Sequence, residues 1–232
     1  MLFRNLITTI LIAAGVVAHA QQPPAPGTAK APPLERLGPD SVRVGNVTVN
    51  TARKEVSVAG TVNDVTTLEF IANTKGGFKA YESALELETD AINFNLGLIL
   101  IGLDHSRAIP SRFPLDPNPP RGDLVEIFVE WEQDGLHQKI RAEQLVYNDD
   151  TKQTLSEGPW VYTGSAFAKE RNAYLADLDG CLIGFIHSNA PVIESMRPLA
   201  TGPYGTNRLN TKLNLKPGTK VVLTVRALPR DK

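Results

Sequence analysis

The chain has 232 residues, of which 42% are hydrophobic and 21% are charged, and its formal net charge is −1. This composition is too apolar for a disordered protein, and one cysteine is too few for a disulfide-rich scaffold. A chain this close to neutral does not bind nucleic acid through charge alone, so no nucleic-acid partner is expected.

The first 20 residues have the pattern of a secretory signal peptide. Arg4 supplies the positive charge, residues 6–18 form an apolar run, and Ala18-His19-Ala20 fits a cleavage site after Ala20. The apolar run is shorter than the roughly 18 to 20 residues that span a bilayer, so we expect cleavage and no membrane span afterwards. The sequence therefore predicts a periplasmic or secreted protein.

A proline-rich linker is predicted at residues 21–33, which contain five prolines and no large apolar side chain. Such a composition favours an extended conformation. Residues 34–232 follow it and show no internal repeat. They are numerous enough to form a single globular domain around one core.

Short alternating segments predict that most of this domain is antiparallel β-sheet. Val47–Val49 and Glu55–Ala59 flank a turn and predict a hairpin, and residues 124–132 alternate in the same way. The pairs Asp134-Gly135 and Asp179-Gly180 are hairpin turn signals. Further strands are expected at residues 67–72, 136–143, 173–178, 181–187 and 220–228.

Residues 90–103 have the pattern of a helix instead. Thr89-Asp90 resembles an N-cap with an acidic first turn. The residues that share one helical face are Ile92, Leu96, Ile99 and Leu103. Because the segment is apolar nearly all round, we expect a buried helix; a strand over residues 96–103 is the alternative, which the cap disfavours. The predicted fold class is α+β, mainly antiparallel β with one buried central helix.

Residues 104–121 contain five prolines and are long for a loop inside a compact domain. Two interpretations are equally compatible with this segment. It is either a binding lip or lid, or a rigid wrap over the surface.

Several kinds of chemistry are disfavoured by the spacing of the reactive residues. The histidines after the signal peptide, His105, His137 and His187, lack metal-ligand spacing, and the lone Cys181 fits a small buried hydrophobe. Gly164-Ser165 does not fit the Gly-x-Ser-x-Gly pattern of a nucleophile elbow, since only the residue immediately before the serine is glycine, and Lys75-Gly76-Gly77 lacks the Walker pattern of a phosphate-binding loop. We therefore predict no catalytic residue, no metal site and no cofactor.

The run from Lys79 to Ser83 places a cation, a phenol and a carboxylate close together after a Gly-Gly turn. On a strand, Lys79 and Tyr81 share one face while Glu82 points to the other. An inward Glu82 is a buried carboxylate that needs a partner. The candidate ligand-binding residues are Lys79, Tyr81, Glu82, Trp160 and Ser165, for each of which a purely structural role is the alternative.

These residues also carry a resemblance to a known family. The run from Gly60 to Asp104 resembles the YdjY-type domain of exported bacterial proteins, through Leu68-Glu69-Phe70, Lys79–Ser83 and the apolar segment at residues 90–102. Residues 160–165 and 174–177 are similar to the later part of such proteins, and the resemblance covers roughly residues 42–192. It implies a secreted domain of unknown biochemical role and supplies no catalytic residue. A ferredoxin-like label used for some members is not supported by one cysteine.

Two functional hypotheses follow. The first is an exported, non-enzymatic binding or envelope-associated domain, whose partner is a small molecule, a glycan or an envelope protein. The second is a cell-envelope hydrolase that uses Glu69 and Glu82 as paired carboxylates. The position of these carboxyl groups distinguishes the two hypotheses. Two carboxyl groups that open into one cleft favour the hydrolase, whereas a carboxyl group held in a salt bridge on the outside argues against it.

Overall fold

The computed structural model describes residues 34–196 and 205–230, so the predicted signal peptide and linker lie outside the described residues. These two ranges contain seventeen β-strands, which in chain order are β1 (Leu34–Arg36), β2 (Ser41–Val44), β3 (Val47–Asn50), β4 (Glu55–Val62), β5 (Phe70–Thr74), β6 (Ser83–Leu87), β7 (Asp123–Gln133), β8 (Leu136–Arg141), β9 (Val146–Asn148), β10 (Gln153–Thr154), β11 (Trp160–Tyr162), β12 (Phe167–Ala168), β13 (Ala173–Tyr174), β14 (Cys181–Gly184), β15 (Ile193–Ser195), β16 (Asn207–Leu209) and β17 (Lys220–Ala227). The same ranges contain the helices α1 (Ala91–Leu100) and α2 (Leu175–Asp179), and 3₁₀ turns at Phe78–Glu82, His105–Arg107, Ala142–Leu145, Lys169–Arg171 and Thr211–Leu213.

Eight of the strands close into a β-barrel. Their order around the barrel is β4, β17, β7, β11, β15, β14, β5 and β6, and β6 pairs with β4 to complete the ring. The pairs β14–β15 and β5–β6 are parallel, and the other neighbours in the ring are antiparallel. The first half of β4 also pairs with β3, which continues the sheet outward through β2 to β1.

The strongest local patterns in the sequence form the predicted elements. The alternating run became β7, in which Val125, Ile127 and Val129 are fully buried. Both residues of Asp134-Gly135 have positive φ, at 52° and 76°, as a tight two-residue hairpin turn requires, and β8 returns beside β7. The hairpin of β3 and β4 and the last strand, β17, are confirmed as well.

The predicted α+β class with a central helix is wrong. The described residues are mostly β and 17% helical, and the barrel is filled by side chains of its own strands, among them the fully buried Trp160. An eight-stranded barrel is just wide enough for such side chains, so a helix does not fit in the middle. The helix expected at residues 90–103 forms as α1, with Asp90 as its N-cap, but it packs against β3.

Only one face of α1 is buried. That face carries Phe94, Gly97 and Leu98, whereas Ile92 and Ile99 of the predicted buried stripe are about half exposed. The apolar residues surround the helix, so their period did not indicate which side faces the core. At Gly97 the helix comes so close to β3 that an added Cβ would lie 2.9 Å from the Val47 side chain.

The two helices lie together at one end of the barrel. Strand β6 leads into α1 and α2 leads into β14, and the Asp177 carboxylate accepts a hydrogen bond of 2.9 Å from the backbone N–H of Ala91. The predicted hairpin at Asp179-Gly180 is therefore wrong, because the residues before it form α2 and Gly180 ends that helix with a φ of 70°. No helix among the described residues is long and apolar enough to cross a membrane.

The proline-rich segment at residues 104–121 crosses the outside of β15 as a fixed strap. The buried Glu194 of β15 accepts a 2.6 Å hydrogen bond from the Ser111 hydroxyl. The backbone N–H of Leu115 donates to the carbonyl of His187, whose ring nitrogen Nδ1 lies 2.7 Å from the carbonyl oxygen of Asp116. These buried polar contacts favour the rigid wrap over the lid.

Candidate functional site

The candidate site is built on the 3₁₀ turn at Phe78–Glu82, which connects the parallel strands β5 and β6. The faces considered from the sequence were those of a strand, and this segment does not form one. A 3₁₀ turn has three residues per turn, so residues three apart share a face. This geometry pairs Lys79 with Glu82 and Phe78 with Tyr81.

Two glycines allow the turn to approach α2 closely. An added Cβ on Gly180 would lie 2.5 Å from the Cα of Gly77, so the two backbones are in direct contact. A side chain at either position would push the turn outward. The Gly-Gly signal before Lys79 thus reflects this close approach, which fixes the turn on the barrel wall.

The ion pair between Lys79 and Glu82 is the anchor of the site. The Lys79 Nζ donates to Glu82 Oε1 at 2.5 Å and to the Tyr81 hydroxyl at 3.2 Å. The Glu82 side chain is 3% exposed and the Lys79 side chain 23% exposed. Burial lowers the pKa of Lys79, but its bonds to Glu82 and Tyr81 outweigh that effect and hold the pKa above its usual range. The partner that a buried Glu82 needs is therefore Lys79.

A second carboxyl group, Glu69, lies beside this pair just before β5. Its backbone N–H donates to the carbonyl of Glu82 at 2.9 Å, so the two residues are adjacent. Partial burial and the charge of Glu82 raise the pKa of Glu69, while Lys79 opposes the shift. The paired carboxylates proposed from the sequence are thus neighbours in the structure.

Three aromatic rings surround the Lys79 ammonium. Their centroids lie 5.5 Å (Tyr81), 5.6 Å (Phe70) and 5.9 Å (Phe78) from the Nζ, within the range of a cation–π interaction. The rings of Phe78 and Tyr81 meet edge to face at 5.8 Å, and these side chains belong to residues that are 71% and 54% exposed. We call Glu69, Phe70, Phe78, Lys79, Tyr81 and Glu82 the Lys79 cluster.

The five candidate residues divide between this cluster and the interior. Lys79, Tyr81 and Glu82 come together, whereas Trp160 is fully buried inside the barrel. Ser165 is also buried, where its hydroxyl donates to the carbonyl of Ala190 and accepts a bond from a backbone N–H of α2. Trp160 and Ser165 offer no surface to a ligand, and their contacts are those of structural residues.

The sequence interpretation missed Phe70 and Phe78 as members of the cluster. Phe78 stands three residues before Tyr81, the spacing that brings two side chains onto one face of a 3₁₀ turn. The strand interpretation assigned a period of two to this segment and so hid that spacing.

A separate groove of about 740 Å³ lies on the outside of the barrel. Its floor includes Ala59 and Val222, and the carboxylate of Glu130 on its rim is ion-paired with Lys139. Among the described residues, no group of three or more histidine, cysteine, aspartate or glutamate side chains is arranged to hold a metal ion.

A family model described as the YdjY domain matches residues 47–226, which is more than half of the chain and includes the whole Lys79 cluster. The chain belongs to the YdjY domain family. No curated protein and no solved structure matches it significantly. The YdjY domain has no known biochemical function, so the function of this member has to be argued from its own residues.

Proposed function

We propose that this protein is an exported, non-enzymatic binding domain of the cell envelope, and that the Lys79 cluster is its binding site. Export is inferred from the N-terminal sequence, with its charged start, short apolar run and Ala-His-Ala cleavage pattern. The site is inferred from one observation, the two large aromatic side chains of Phe78 and Tyr81 exposed on a turn that is anchored from below.

Because the turn is anchored, it has little conformational entropy left to lose when a ligand binds. The backbone of the turn is fixed by its close contact with α2, and the Lys79 side chain is fixed by Glu82 and by the rings around it. Aromatic side chains provide a large contact area with only two rotatable bonds. A rigid pair of exposed rings is therefore suited to bind a partner without rearrangement.

The hydrolase alternative draws support from the adjacency of Glu69 and Glu82, since the charge of Glu82 helps to raise the pKa of Glu69. Hydrolysis of a glycosidic bond, however, places the bond between two carboxyl groups roughly 5 to 9.5 Å apart. In this protein the Glu82 carboxylate is nearly fully buried and already bonded to Lys79, so it is not free to act on a substrate. The geometry thus supports binding better than hydrolysis.

Site-specific photocrosslinking in the producing cells tests the proposal. Replacing Phe78 by the photoreactive p-benzoylphenylalanine should give a defined covalent adduct on irradiation of the envelope fraction. The same replacement at Phe167, another exposed aromatic residue, is the matched control and should give none. No adduct from position 78, or the same adduct from both positions, would overturn the proposed site.

A further inference from the structure

The proline-rich strap makes one tight turn that points away from the barrel. Phe113, Pro114, Leu115 and Asp116 form a β-turn, in which the backbone N–H of Asp116 donates to the carbonyl of Phe113 at 3.2 Å. Phe113 is 47% and Leu115 60% exposed, whereas Ser111 and Asp116 on either side of them are buried. We call Phe113, Pro114 and Leu115 the strap tip.

The backbone of the strap tip is strained at Leu115. Its φ is 62°, in the left-handed region that favours glycine at the third position of such a turn. The turn is nevertheless held in place, because the Leu115 N–H donates to the carbonyl of His187 at 2.8 Å. Since its side chain is mostly exposed, Leu115 gains little packing in return for this conformation. Strained residues that a fold maintains concentrate at binding sites, so the strap tip is a candidate contact for a partner.

The charges next to the strap tip cancel each other. Asp116 is the one acidic residue between positions 105 and 121, and its carboxylate accepts two hydrogen bonds from the Arg112 guanidinium, at 2.8 and 3.1 Å. The backbone N–H of Asn118 donates to the same carboxylate. The guanidinium carbon of Arg112 lies 5.2 Å from the centroid of the Phe113 ring. The tip is therefore apolar and has no net charge.

The base of the strap carries two further cations. Ile109 and Arg121 close it through two backbone hydrogen bonds of 2.8 and 2.9 Å. Arg107 and Arg121 are exposed, and neither forms an ion pair with a carboxylate of the described residues. The charge of Arg107 lowers the pKa of Asp104 and Asp123, but both carboxylates are bonded to other groups. The strap thus combines an uncharged apolar tip with a positive base.

We propose that the strap binds the surface of an anionic lipid bilayer, with Phe113 and Leu115 in the boundary between headgroups and acyl chains. Arg107 and Arg121 contact the lipid phosphates. Apolar burial and attraction to anionic headgroups are the two contributions to interfacial binding. A bilayer also accepts a projecting tip without a pocket of matching shape, which a protein partner would have to provide. The strap shares no residue with the Lys79 cluster, so this inference is independent of that site.

Co-sedimentation with vesicles tests the inference. The processed protein should bind vesicles of equal parts phosphatidylglycerol and phosphatidylcholine at least about tenfold more tightly than vesicles of phosphatidylcholine alone. Sodium chloride at about 1 M should remove most of this difference. Equal binding to the two kinds of vesicle, or no binding to the anionic ones, would overturn the lipid surface. A protein adduct of p-benzoylphenylalanine at position 113 without vesicle binding would assign the tip to a protein partner instead.

Leu115→Gly separates binding from folding, because glycine removes the side chain and also relieves the backbone. It should weaken binding to the anionic vesicles about fivefold without lowering the urea unfolding midpoint. Arg107→Gln and Arg121→Gln should each weaken binding about fivefold. The matched controls, Leu136→Gly and Arg53→Gln, alter exposed residues elsewhere and should leave binding unchanged.

All these variants keep the same N-terminal sequence, so any membrane affinity of its apolar run cancels in the comparison. Vesicle binding that is unchanged in Leu115→Gly, or reduced as much by the control variants, would overturn the inference.

Discussion

Replacing Lys79 by methionine should destabilise the protein far more than the same change at Lys75. Both lysines bind a glutamate with an Nζ–Oε distance of 2.5 Å, Lys79 to Glu82 and Lys75 to Glu88. The pairs differ in burial, since the side chains of the first are 23% and 3% exposed and those of the second 64% and 41%. The comparison thus isolates the effect of burial on an ion pair of fixed geometry.

The expected loss in the free energy of unfolding depends on how deeply each substitution leaves a carboxylate buried without its lysine partner. Removing one partner of a buried pair costs about 3 to 5 kcal/mol, and the partial exposure of Lys79 places Lys79→Met near 3 kcal/mol. An exposed pair contributes little to stability, so Lys75→Met should cost only a small fraction of the effect of Lys79→Met. With a urea dependence of about 2 kcal/mol per M, the unfolding midpoint should fall by about 1.5 M for Lys79→Met and by less than about 0.5 M for the control.

The loss of stability in Lys79→Met should also depend on pH. Without Lys79, the pKa of Glu69 rises further, because the cation that opposed the upward shift is gone. The folded state then binds more protons than the unfolded state, so the stability of the variant increases as the pH falls from 8 towards 5. Urea unfolding at both pH values, followed by tryptophan fluorescence, measures this. Equal losses in Lys79→Met and Lys75→Met, or a loss no smaller at pH 5 than at pH 8, would refute the reasoning.

Three further predictions concern other parts of the fold. Asp90→Ala removes the N-cap of α1 and should lower the free energy of unfolding by about 1 kcal/mol in the same urea assay; an unchanged midpoint would contradict the assigned cap. The thiol of Cys181 is fully buried, and its burial raises its pKa. It should therefore react with Ellman's reagent only as fast as the protein unfolds. Rapid reaction of the native protein would be inconsistent with that burial. Glu194 accepts hydrogen bonds from backbone N–H groups that include that of Ser111. Glu194→Gln places an amide donor against these N–H groups and weakens the anchoring of the strap, so trypsin should cleave the strap at Arg112. A digestion pattern equal to that of the wild type would argue against the anchoring.

The sequence contained enough information for the local elements of the fold. Asp134-Gly135 predicted a hairpin turn, which forms with two positive φ angles, and the alternation of residues 124–132 predicted the strand that forms as β7. The pair Thr89-Asp90 predicted the start of α1, because a short acceptor side chain before an apolar segment satisfies the first free N–H groups of a helix, and in the structure Asp90 is the residue that does so. Each of these features depends on residues that are close in the chain.

The closure of the barrel was out of reach because it depends on distant pairings. Alternation indicates a strand but does not indicate its neighbour, and β4 pairs with β17 at residues more than 150 positions away. The parallel pairs β5–β6 and β14–β15 are likewise invisible to a pattern of turns that favours antiparallel hairpins. Without the closed ring, an apolar helix was the natural candidate for the core.

The candidate site could be predicted only in part, because some of its residues are distant from one another in the chain. Lys79, Tyr81 and Glu82 are neighbours in the chain, so their clustering could be predicted without the fold. Glu69 reaches them only through the pairing of its backbone with Glu82. Trp160 was chosen for its residue type, and only the barrel shows that it faces inward.

A native mass spectrum of the exported protein, purified from its own envelope and compared with the denatured mass, tests the central claim most directly. The account predicts the mass of a chain processed after Ala20, plus a reproducible excess mass that is present in the wild type and absent from a Phe78→Ser/Tyr81→Ser double variant. The processed mass alone in both proteins, or the same excess in both, would contradict a binding site at the Lys79 cluster.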